Sequence, residues 1–174
     1  NLTTGVRVPL PTSAALWQLV YSGDTAGILR LLKSNSSFVD CQDADGSTPL
    51  TFSADTDNYS MATVLLKCGA NPMKASRKGP TPLHIACERG NFDIAKLLVT
   101  HNADVHLANV HSDKSPIHYA ASSNCGKLVD WLIVQGADPA VCNRFGITPV
   151  RVAVTSGREP IVRTLLQHKA DPND

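Results

Sequence analysis

The chain has 174 residues, of which 16 are Lys or Arg, 15 are Asp or Glu and 43% are apolar, giving a net charge of +1. This balance excludes the basic footprint of a nucleic-acid binder, an acidic tail and a disordered chain. No apolar run approaches the roughly 18 residues that a membrane span needs, so no membrane insertion is expected.

Residues 1–12 contain Pro9 and Pro11 and no apolar period, and they read as an extended leader. Asn1 to Ala15 lacks the layout of a secretion signal, and a chain opening on Asn1 reads as a fragment or a processed product. From Ser13 the run SAALWQLVYSGDTAGILRLLKS predicts two short helices hinged at Gly23, with Ile28, Leu31 and Leu32 on the second. Trp17 is expected to cover the end of a stack.

Next comes a turn, Asp43-Ala44-Asp45-Gly46, with an aspartate first and a glycine fourth as a type I turn prefers. Thr48-Pro49 then supplies a helix start, because the threonine hydroxyl accepts from a first-turn amide while proline gives up an N–H that had no partner. This unit is irregular, with Thr51, Ser53 and Asp57-Asn58 where its sister units have histidine, alanine and a glycine turn, and it is expected to be the most weakly held.

Ser76-Arg77-Lys78-Gly79 repeats the turn and Thr81-Pro82-Leu83 repeats the start. Leu83, Ala86 and Cys87, then Ile94, Leu97 and Leu98 beyond Gly90, give two helices with one small apolar stripe each. The third turn, Asn109 to Lys114, is one residue longer and has no glycine. After it come Ser115-Pro116-Ile117, Asn124 in the slot of the turn glycine, and Trp131, expected to be a core residue. Asn143-Arg144-Phe145-Gly146 and Thr148-Pro149-Val150 open the last unit, where Pro160 falls in a first turn and Ala170 to Asp174 lead towards another turn. The apolar Val154, Val162 and Leu166 there suggest a continuing array or an outside covering element.

The four starts are offset by 33, 34 and 33 residues, and the units end alike, in LLKCGANP, LLVTHNAD, LIVQGADP and LLQHKADP. With TPLHIA at Thr81 to Ala86 and SPIHYAA at Ser115 to Ala121, the chain resembles the ankyrin-repeat family from about Ser13 onward. The resemblance implies an all-α solenoid with short β-hairpin fingers and about five repeats, an N-terminal capping repeat plus four. Their approximate bounds are 13–42, 43–75, 76–108, 109–142 and 143–174.

Catalytic and cofactor signatures are not found. There is no phosphate loop, no CxxC pair and no nucleophile-histidine arrangement that the sequence assembles, so neither enzyme activity nor a cofactor is expected. Asp43 to Gly46 resembles the start of a calcium loop but has no closing glutamate at the right distance. The five cysteines, Cys41, Cys68, Cys87, Cys125 and Cys142, are odd in number, which points to a reducing compartment, cytoplasm or nucleus. There the Asn-x-Ser/Thr sequons at Asn1, Asn35 and Asn58 are chance matches. By resemblance, His84 and His118 are ties to the neighbouring finger backbone, not ligands or catalysts.

What remains is a surface. In the family, partners are gripped by fingertips and by the exposed end of each first helix. Carried over, those slots hold Tyr21, Asp45, Asp55, Arg77, Lys78, Glu88, Arg89, His111, Lys114, Arg144 and Phe145. This implies a non-catalytic protein-interaction module, an adaptor or scaffold. Its partner would present acidic groups to Arg77, Lys78 and Arg89 and an apolar anchor near Phe145. The alternative is a regulatory or recruiting segment of a larger enzyme or channel.

Overall fold

The structure is a computed structural model that describes residues 12–168. The expected leader, apart from Thr12, and the closing Ala170 to Asp174 lie outside the described residues. Among the described residues ten α-helices form five consecutive pairs: α1 (Ser13–Ser22) with α2 (Thr25–Ser34), α3 (Pro49–Asp55) with α4 (Tyr59–Lys67), α5 (Pro82–Arg89) with α6 (Phe92–Thr100), α7 (Pro116–Ser122) with α8 (Gly126–Val134), and α9 (Pro149–Thr155) with α10 (Glu159–Gln167). The first helices pack in a row, α3 on α5 on α7 on α9, and second helices pack beside them, α2 on α4 on α6 and α8 on α10.

The helix starts follow from their residues. Thr48 and Thr81 sit in extended backbone as caps whose hydroxyls accept from Thr51 N–H and His84 N–H, and a proline follows each. Gly23 and Gly90 end α1 and α5 in the left-handed conformation, at φ 73° and 76°. Asp57 takes the same conformation at φ 54°, as its place in the glycine slot requires. Asn124 does not. Ser123 leaves α7 extended, its hydroxyl bonding the Ala120 carbonyl and accepting from Cys125 N–H, so a serine turn replaces the left-handed one. Pro160 sits in the first turn of α10.

The core is a series of layers between pairs. Leu50, Leu65, Leu83, Leu98, Leu128 and Leu132 have no more than 1% of their surface exposed, and each such leucine contributes roughly 1.5–3 kcal/mol by leaving water. Helices of seven to ten residues are too short to persist alone, so this stacking is what holds them. Trp17 is buried, and its ring meets that of Tyr21 on the same helix and that of Phe52 of the next pair. Trp131 is half-buried and meets Phe92 edge-on at 5.8 Å, at the margin of the core rather than within it. Val154 and Leu166 remain exposed on the last pair.

The fingers are tight turns, and no β-strand occurs among the described residues. Gly46, Gly79 and Gly146 N–H close three of them onto Asp43, Ser76 and Asn143. In the longer third finger Asp113 supplies the positive φ, 55°, and its N–H bonds Asn109.

Candidate protein-interaction surface

The ties between neighbouring pairs determine which side chains are left for a partner. His84 is wholly buried. Its Nδ1 accepts from Thr81 N–H at 3.1 Å, which leaves the proton on Nε2, and Nε2 donates to the Lys114 carbonyl of the next finger at 3.1 Å. His118 repeats this between Ser115 N–H and the Ile147 carbonyl, at 3.2 and 2.9 Å. Burial pulls the His84 pKa down to about 4 against the opposing pull of the Lys114 carbonyl, and burial lowers that of His118 too. Both rings are neutral ties, as the resemblance implied. Thr51 cannot make this tie: its hydroxyl turns back to Thr48 at 2.6 Å.

A second set of ties links the fingertips. Arg77 Nη1 donates to the Ala44 carbonyl at 3.2 Å, His111 Nε2 to the Arg77 carbonyl at 3.3 Å, and Arg144 Nη2 to the His111 carbonyl at 3.0 Å. Arg144 N–H also bonds Asp113, and its guanidinium lies 5.5 Å from the centre of the Phe145 ring, which is 65% exposed. On the helix ends Arg89 pairs with Asp55 at 2.8 Å. Four of the cationic or ring-nitrogen residues placed on the binding strip by sequence, Arg77, Arg89, His111 and Arg144, are therefore engaged inside the chain. Lys78 is exposed and forms no ion pair among the described residues.

Two grooves run between the first helices beneath the fingers. One, of about 190 Å³, gathers Asp55 and Lys78 with Phe52, Ser76 and Ile85. The other, of about 480 Å³, gathers Glu88 and Lys114 with Tyr119, Arg151, Val152 and Thr155. Seven of the predicted residues stand outside both: Tyr21 on α1, Arg89 at the end of α5, and Asp45, Arg77, His111, Arg144 and Phe145 on the fingers. Phe52, Ile85, Tyr119 and Val152, which sequence reasoning missed, form the groove floors. They occupy one register position, four residues after each threonine or serine cap, and that regular placement of a large side chain was the available signal.

Among the described residues there is no group of three side chains suited to hold a metal, and no helix is long and apolar enough to cross a membrane. A family profile described as ankyrin repeats (3 copies) matches residues 16–109 and 106–174. Similar proteins include an ankyrin repeat protein of fowlpox virus (29% identity over 91% of this chain and 36% of the relative) and the B-cell lymphoma 3 protein homolog of Mus musculus (31%, 84% and 34%). The transient receptor potential channel pyrexia of Drosophila melanogaster is 33% identical over 78% of this chain and 14% of its own length. The chain thus spans at most about a third of the relatives named here. Profile, period and paired helices agree: this chain belongs to the ankyrin-repeat family, whose repeats are generally protein-interaction modules.

Proposed function

We propose that residues 13–174 form a non-catalytic module that binds a peptide or protein partner along the finger and first-helix face, as an adaptor or scaffold in the cytoplasm or nucleus. The observation that carries this is the row of Phe52, Ile85, Tyr119 and Val152, which floors two adjacent grooves rimmed by charged side chains. Apolar floor with polar rim is the usual anatomy of a recognition surface. Acidic groups of the partner would meet Lys78, Lys114 and Arg151, with Phe145 taking an apolar anchor. Arg77, Arg89, His111 and Arg144 would act mainly by holding this face in register.

The test is chemical cross-linking of the captured partner. Cross-links at Lys78 and Lys114 are expected, and the one at Lys114 should be lost when Lys78→Glu is combined with Phe145→Ala. Cross-links confined to Lys67 and Lys96 on the second helices would reject this face. A second reading, a recruiting or regulatory segment of a larger channel or enzyme, is favoured by the similarity to pyrexia, of which the matched stretch is only 14%. That reading uses the same face.

A further inference from the structure

The first two pairs present a corner unlike the rest of the face. Tyr21 is 60% exposed, yet its ring lies 5.2 Å from that of Trp17, tilted by 33°, and 5.3 Å from that of Phe52 at 87°. Phe52 is in turn edge-on to Trp17 at 6.1 Å, so the three rings hold each other in place. The first fingertip adds two carboxylates. Asp43 Oδ2 accepts from the Tyr21 hydroxyl at 3.5 Å, and Asp45 is exposed at the tip. Neither forms an ion pair among the described residues, where the ion pairs are Arg89–Asp55, Arg163–Glu159 and His168–Asp130. Arg77, the neighbouring cation, donates its Nη1 to the Ala44 carbonyl and keeps its charge at the fingertip, but it forms no ion pair with either carboxylate. Desolvation, then the charge and hydrogen bond of Asp43 and the charge of Asp45, raise the pKa of the Tyr21 phenol.

These features discriminate between occupants. An acidic group would be repelled by Asp43 and Asp45. A neutral apolar anchor would cover the rings but strip water from carboxylates without supplying a countercharge. A cation gains twice, from the ring faces and from the carboxylates. We infer that Tyr21, Phe52, Asp43 and Asp45 form a seat for an arginine or lysine side chain of the bound partner. This rests on the reading of the finger side as the partner surface. It also fixes the partner's direction, with its cationic residue at the first finger and its acidic groups towards Lys78 and Lys114.

Titrating the full 174-residue chain with N-acetyl-arginine amide, at constant ionic strength and with the uncharged N-acetyl-citrulline amide as control, tests the seat without any partner. Amide shifts read by NMR should move at Tyr21, Phe52 and residues 43 to 46 with the arginine probe and stay still with citrulline. Asp45→Asn should weaken arginine binding roughly two- to fivefold, and Tyr21→Leu similarly, while Tyr21→Phe retains it. Asp45 is an exposed fingertip residue, so its variant decides the matter even if Tyr21→Leu loosens the first pair. Equal response to citrulline, shifts centred elsewhere, or unchanged affinity in Asp45→Asn would each overturn the seat. Cross-links confined to the second helices, beside an intact arginine response, would instead remove the reading of the whole face.

Discussion

One imidazole, that of His84, caps a helix through Nδ1 and ties two repeats through Nε2, and the Nδ1 bond, in which the ring accepts, needs it neutral. Its pKa is about 4 when folded, against about 6.5 in an unfolded chain, so between those values the unfolded state binds the proton more readily. Stability should therefore fall as pH drops from about 6.5 to 4 and then level off, with roughly 3 kcal/mol at stake from this residue. Denaturant melts at pH 7 and pH 4.5 check it, and His84→Gln should show a shallower loss. Asp55→Ala, by contrast, removes an ion pair whose side chains are about half exposed, and it should cost less than about 1 kcal/mol in the same assay.

Among the helix pairs, that of α3 and α4 stands apart. Thr51 makes no bond to the next finger, and Asp57 holds a positive φ that glycine adopts freely. Its amides should exchange with deuterium faster than those of α5 and α6, which hydrogen exchange read by mass spectrometry would show. Asp57→Gly should raise stability by about 0.5–1 kcal/mol, a rise of a few degrees in Tm. Helix starts and most helix ends were legible because they depend on local chemistry: a threonine cap, a following proline, a glycine with φ above zero. Asn124 was misread for a reason of the same scale, since Ser123 and its hydroxyl closed the turn first. The bonds from Arg77 to Ala44 and from Arg89 to Asp55 were not legible. They join residues 33 and 34 positions apart, and only the side-by-side packing of repeats determines which side chain reaches which carbonyl or carboxylate.

For the whole molecule, the net charge of +1 and the acidic groups Asp45, Asp55 and Glu88 on the finger side oppose polyanion binding. Titration with duplex DNA near physiological salt should show no saturable complex. The fingertips and first-helix ends were legible as a strip of family positions, but the contacts they make within the chain were not. Sequence placed exposed arginines there; they are exposed, but Arg77 and Arg144 bond the backbone of the preceding finger and Arg89 pairs with Asp55. The row of fingertip bonds, each reaching back to the loop before it, has a mechanical consequence. A load applied to one loop is shared along the row, so alanine scanning at Arg77 or Arg144 would mix lost grip with lost stiffness. Double-mutant cycles between a fingertip and its backward neighbour, read in affinity and in melting together, would separate the two.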